Sequence, residues 1–98
     1  MKIKWHRLAR QDLRHVRAYI ASDNPKAAAK VAQRIRTAIE RLPDNPALGR
    51  PGRVIDTREL VVTGTPYLVP YIVANDEIVI LRILHGAQQW PSGASHWG

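Results

Sequence analysis

Cysteine is absent from this 98-residue chain. A disulfide framework and a thiolate metal site are therefore excluded, which fits a reducing compartment. No apolar stretch approaches the length that spans a bilayer. The opening Met1-Lys2-Ile3-Lys4-Trp5 is too short and too polar to begin a secretory signal, so a cytoplasmic protein with no membrane partner is expected. Internal repeats and low-complexity segments are also missing. Acids are scarce where bases abound: residues 1 to 58 hold fourteen of the fifteen Lys and Arg against five acids, a net of +9. Residues 59 to 98 set only Arg82 against Glu59, Asp76 and Glu77. The overall +7 suits a polyanionic or acidic partner, whether nucleic acid, a nucleic-acid-bound machine or an acidic protein chain. One domain is expected over residues 1 to 91, followed by a flexible tail over residues 92 to 98. A chain this short buries little more than half of its unfolded surface, so a partner covering one face would add to a modest stability.

What is present centres on Asp76 to Pro91, D-E-I-V-I-L-R-I-L-H-G-A-Q-Q-W-P. Read as one strand from Ile78 to His85, it carries Ile78, Ile80 and Leu84 on one face and Val79, Leu81 and Ile83 on the other. Such a strand is apolar on both faces, so it sits centrally with cover on each side: helices behind, and another molecule able to lie across the front. Into it are set Arg82, on the first face, and His85, at its end on the second.

In chain order, Lys2 to Trp5 alternates as a first strand. Arg7 to Ala21 then reads as a helix with Ala9, Leu13, Val16 and Ile20 as its buried stripe, widened by Tyr19. Arg7, Arg10, Arg14 and Arg17 form a second stripe, expected well away from the apolar one. It is either a solvated face or an electrostatic contact surface. Asn24 and Pro25 cap and start a second helix running to about Leu42, with Ala28, Val31, Ala32, Ile35, Ile39 and Leu42 facing inward. The short connection makes the pair an antiparallel hairpin.

Pro43 to Thr57 is read as a loop tethered by Leu48, Val54 and Ile55, with Arg50 and Arg53 exposed or aimed at an anion. Strands follow at Arg58 to Val62 and Tyr67 to Ala74, then a two-residue turn at Asn75-Asp76 leads into the central strand. Pro70 cannot donate to a ladder, so a bulge or unpaired site is expected there. Trp90 is expected to fold back onto the sheet. The fold class is α+β, with order β-α-α-β-β-β: a helical hairpin packed on a small, mostly antiparallel sheet.

That order is combined with G-R-x-G-R-x-x-x-T-R-E-L (Gly49 to Leu60), Tyr67-Leu68-Val69-x-Tyr71 and the closing I-L-R-I-L-H-G-A-x-x-W-P (Ile80 to Pro91). Together they resemble the RelE/ParE superfamily of bacterial type II toxins. The resemblance implies a growth-arresting toxin paired with a small cognate antitoxin in a hetero-oligomer. The antitoxin's acidic C-terminal segment would wrap the toxin, and its N-terminal domain would bind DNA. No cofactor or metal is implied.

The superfamily divides by target. A RelE-like enzyme cuts messenger RNA on the ribosome, without a metal, and must activate a ribose 2′-hydroxyl, protonate the leaving oxygen and stabilise charge at phosphorus. His85 and Arg82, with Arg58 and Arg53 or Arg50, are the candidates here, and Glu59 is the nearest alternative base. No lysine lies between the helices and the Arg58 strand, and Gly86 stands where one ribonuclease subgroup has a tyrosine. A ParE-like toxin binds and poisons DNA gyrase and needs no catalytic set, and the G-R-x-G-R loop and H-G-A-x-x-W-P ending look more like that branch. In either case Arg82 and His85 have a structural alternative, pairing with Glu59 or backbone carbonyls. Candidates for contact with antitoxin or target are Arg10, Arg14, Arg17, Arg50, Arg53, Arg58, Tyr71, Arg82 and Trp90. A basic RNA-binding module is a third reading, but three tyrosines and three tryptophans scattered in this way do not assemble a stacking platform.

Overall fold

The computed structural model describes residues 1–86 and residue 90. Strand β1 (Lys2–Trp5) leads into α1 (Arg7–Ala21) and α2 (Pro25–Glu40), followed by β2 (Arg50–Pro51), β3 (Arg58–Val61), β4 (Tyr67–Ala74), β5 (Glu77–Ile80) and β6 (Leu84–His85). One sheet runs β1-β5-β4-β3-β2, and β6 also pairs with β4. Every pairing is antiparallel except that of β1 with β5, so the helical hairpin is the crossover that returns the chain to the sheet. The expected α+β class holds, and the order β-α-α-β-β-β gains two short strands, β2 within the run read as a loop and β6 beyond the end of β5. Residues 92 to 98 lie outside the described residues.

Local chemistry sets the helix starts. His6 caps α1 by accepting the Leu8 amide on Nδ1 at 3.1 Å, and Asn24 Oδ1 accepts the Ala27 amide at 3.1 Å with Pro25 in the first turn of α2. The helices and one sheet face enclose a core that includes Ala9, Leu13, Ile35, Ile39, Leu42, Val69, Tyr71, Ile78 and Ile80. Burial of each large aliphatic there stabilises the fold by about 1.5–3 kcal/mol. Tyr19 is 78% exposed and Ile55 86%, so neither has the core duty expected of it. Tyr19 falls at the rim of the α1 stripe, and of the three expected apolar tethers Leu48 and Val54 pack against the core clusters.

The Asn75-Asp76 turn has φ of 52° and 64°, the left-handed pair that matches the twist of a two-residue hairpin. Pro70 has the consequence its missing N–H demands, but the irregularity lies in the neighbouring strand. The Val62 amide donates to the Tyr67 carbonyl at 3.0 Å. By alternation, Leu60 with Val69 and Arg58 with Tyr71 are the hydrogen-bonded pairs of β3 and β4, so Pro70 meets Glu59 at a non-bonded position. Its backbone points instead toward the β5 line, where Leu81 donates to the Pro70 carbonyl at 2.9 Å and nothing can be donated in return. The ladder breaks there. Between Tyr71↔Ile80 and Leu68↔Leu84, β4 supplies Val69 and Pro70 while the other strand supplies Leu81, Arg82 and Ile83.

This bulge corrects the reading of one continuous strand over Ile78–His85. It reverses the parity of the side chains, so Ile83 joins Ile78 and Ile80 on the helix side while Leu84 joins Leu81 on the other. The second face is covered in part by Leu68, Leu81, Leu84 and Trp90, with Val54, Ile72 and Val79 at the margin. Trp90 does fold back onto the sheet.

Candidate functional site

Along α1, residues 10, 14 and 17 fall on one side of the helix, beside Leu13 rather than remote from it. They border a groove of about 460 Å³ between α1, α2 and β1. Its floor is apolar, built from Ile3 and Trp5 of β1, Leu13 of α1 and Ile39 of α2. Arg10, Arg14 and Arg17 form one wall, and Arg36 and Glu40 of α2 belong to the other. The three α1 arginines are exposed, and a greasy trough with a cationic rim suits an amphipathic segment bearing acids along its edge. The expected separation of the arginine and apolar stripes fails because the groove cuts between them, so both reach it.

The other candidates are drawn into internal contacts. Arg82 is held by Asp12 of α1 in a two-pronged pair, Nε to Oδ2 at 2.7 Å and Nη2 to Oδ1 at 3.0 Å. Asp12 Oδ2 also accepts the Ile83 amide at 2.9 Å, so one carboxylate satisfies both the cation and the bulged backbone that carries it. The hydrogen bond to Asp12 holds the Arg82 guanidinium above its ordinary pKa despite partial burial. The partners expected for Arg82, Glu59 or a backbone carbonyl, are replaced by Asp12. Nothing local in the sequence pairs residues 70 apart. The available signal was Asp12 itself, a lone acid in a helix crowded with arginines.

Glu59 is 2% exposed and accepts the Arg53 amide at 2.9 Å, with Arg50 Nη2 at 3.4 Å and Arg53 Nε at 4.0 Å. Arg58 reaches across to the Gly49 carbonyl at 2.7 Å. Tyr71, proposed as a contact residue, is fully buried. Its hydroxyl donates to the Pro46 carbonyl at 2.7 Å and accepts the Gly49 amide at 2.8 Å. Burial raises the pKa of this phenol, opposed by the Gly49 amide and the Arg58 charge. A Cβ on Gly49 would meet the Tyr71 ring at 2.6 Å, and one on Gly52 would meet Thr57 Oγ1. The two glycines of the G-R-P-G-R run are thus needed for close approach, and Arg50, Arg53, Arg58 and Tyr71 work together to pin that run to the sheet.

His85, on β6 opposite Tyr67, is exposed and meets that ring edge to face with centroids 5.8 Å apart. Tyr67 and Tyr71, the neighbours of His85 and Arg58 in the sheet, are four residues apart on β4, about 13 Å at strand rise. Arg82 meanwhile turns to α1. The expected ribonuclease set is therefore dispersed, with Arg82 tied to Asp12, Arg58 to Gly49, and Arg50 and Arg53 to Glu59. Trp90, another proposed contact residue, is 5% exposed.

The family described as ParE toxin of type II toxin-antitoxin system, parDE, matches residues 3–90. The chain is 47% identical over 90 residues to "Putative toxin Y4kP" of Sinorhizobium fredii, covering 92% of this chain and 93% of that one. It is 38% identical over 87 residues to toxin RelE2 of Caulobacter vibrioides, covering 89% and 97%. In three dimensions it is similar to a chain of the chromosomal ParDE toxin-antitoxin system from P. aeruginosa. The TM-score is 0.78 at 34% identity, covering 87% of this chain and 95% of that one.

Proposed function

Because the chain belongs to the ParE toxin family of type II toxin-antitoxin systems, we propose that it arrests growth in the cytoplasm by binding and poisoning DNA gyrase. A cognate antitoxin neutralises it. The observation that carries a binding rather than a catalytic mode is the engagement of the candidate cations. Arg82 is tied to Asp12 and Arg58 to the Gly49 carbonyl, so two of the cations that RNA cleavage would need at the phosphate are already engaged within the fold.

The antitoxin follows from the α1–α2 groove. Its partner is an amphipathic segment whose apolar side chains fill the trough over Trp5, Leu13 and Ile39 and whose acids meet Arg10, Arg14 and Arg17. That segment is the antitoxin's acidic C-terminal part, ordered on binding, while its N-terminal domain holds DNA, so toxin and antitoxin form a hetero-oligomer.

Expression of the wild-type chain and of His85→Ala in growing cells, with and without the antitoxin, tests the mode of action. Both forms should arrest growth, the antitoxin should relieve both, and translated messages should stay intact. Codon-positioned cuts in messages that vanish with His85→Ala, together with loss of arrest, would instead establish a ribosome-dependent endoribonuclease.

A further inference from the structure

The loop between β2 and β3 holds an aliphatic side chain out in water. Ile55 is 86% exposed, the highest value among the exposed large hydrophobics of the described residues. A scattered apolar residue on a surface is ordinary, but this one is held at a fixed point. The Thr57 amide donates to the Val54 carbonyl at 3.1 Å, and Thr57 Oγ1 donates to the same oxygen at 2.6 Å. That closes a tight turn with Asp56 at φ 64°, in the left-handed region, and Ile55 beside it at the tip. The Gly52 amide locks the neck of the loop to the Thr57 carbonyl at 2.8 Å. Val54 packs against the cluster of Leu68, Leu81, Leu84 and Trp90, so the turn stands on a buried base. Glu59 takes the Arg53 amide at 2.9 Å and draws in both guanidinium groups, Arg50 at 3.4 Å and Arg53 at 4.0 Å. Those two side chains remain 57% and 49% exposed, with most of their donors not used by Glu59.

Resting on the gyrase reading above, we propose that this turn is the element that docks on the target protein, with Ile55 entering an apolar pocket and Arg50 and Arg53 donating to oxygens at the pocket's rim. A turn already fixed by its own hydrogen bonds loses little freedom on binding, so the burial of Ile55 is not offset by the cost of ordering a loop. An aliphatic anchor with arginines beside it is the composition of a protein-binding hot spot. Nucleic acid is the poorer occupant. Residues 50 to 59 set three arginines against two acids, a net of +1, in a chain whose first 58 residues carry +9. A run of phosphates would find the Glu59 carboxylate held by both Arg50 and Arg53, and Asp56 next to Ile55 at the tip. A second copy of this chain would bring two pairs of Arg50 and Arg53 together.

Gyrase incubated with plasmid DNA and increasing amounts of toxin tests the proposal. The toxin concentration that traps half of the plasmid as cleavage complex should rise by about tenfold or more in Ile55→Glu and stay within about threefold of wild type in Ile55→Leu, because an apolar pocket accepts an aliphatic and rejects a charge. Thermal unfolding of both variants should match wild type, since position 55 lies outside the core. Wild-type potency in Ile55→Glu would overturn the turn as docking element while leaving the gyrase reading intact. A wild-type chain inert toward gyrase would remove that reading and this one with it. Binding of a labelled DNA duplex by the toxin alone provides the other arm. If the paired Arg50→Gln, Arg53→Gln change abolishes that binding while Ile55→Glu keeps both duplex binding and potency, the loop serves phosphate and the proposal falls.

Discussion

Replacing Asp12 with alanine removes more from this protein than an exposed carboxylate would. The side chain is 13% exposed and that of Arg82 22%, and Asp12 takes two hydrogen bonds from the guanidinium and one from the Ile83 amide. Without it, a mostly buried cation and a bulged backbone N–H both lose their partner. Breaking a buried pair from one side costs about 3–5 kcal/mol, and because Arg82 keeps some contact with water the low end applies, about 3 kcal/mol. For a domain of this size each kcal/mol moves the melting point by about 4–8 °C, so a fall of about 12–24 °C is expected. Thermal and urea unfolding of Asp12→Ala, Arg82→Ala and the double variant would measure it. The double variant should lose well under the sum of the two single losses, since each single change already breaks the shared contact. A loss below about 0.5 kcal/mol for Asp12→Ala, the range of ordinary surface substitutions, or strict additivity, would refute the assigned role of the pair.

Other perturbations separate the remaining contacts. Tyr71→Phe leaves the Gly49 amide and the Pro46 carbonyl without their buried partner and should cost about 1–3 kcal/mol in urea unfolding, with faster amide exchange across the Pro46–Arg53 run. Gly49→Ala forces a methyl into the Tyr71 ring and should destabilise by about 1–3 kcal/mol on the same assay. Burial raises the pKa of Tyr67 and Tyr71 above the ordinary 10.0, so the fold favours both neutral phenols. Their contribution is fully present below pH 10 and is lost as pH climbs from there through the folded-state values, which unfolding curves and phenolate absorbance would follow together. Asp76→Gly, at φ 64°, should raise stability by about 0.5–1 kcal/mol in thermal unfolding, because glycine adopts that conformation without a Cβ penalty.

The parts of the fold legible in the sequence are those with short-range causes. Asn24-Pro25 marks the start of α2, Asn75-Asp76 marks the β4–β5 turn, and the spacing of Ala9 and Leu13 marks the inner side of α1. The bulge at Leu81–Ile83 was less visible because its cause, the missing donor of Pro70, lies on a neighbouring strand. Its effect is to exchange the faces of Ile83 and Leu84, which no count along a single strand can show. Of the candidate site, the cationic stripe on α1 could be read, but its place on the rim of an apolar groove depends on where α2 and β1 pack. The contacts of Arg82, Arg58 and Tyr71 are with residues 70, 9 and 25 positions away, at Asp12, Gly49 and Pro46, so residues suited to chemistry also fasten the fold.

Incubation of purified toxin with gyrase and plasmid DNA tests the proposed activity most directly. Cleaved plasmid should accumulate and supercoiling should fall as toxin is added, His85→Ala should act like wild type, and prior mixing with the antitoxin should abolish the effect. Supercoiling that proceeds undisturbed at saturating toxin, with no trapped cleavage complex, would contradict it.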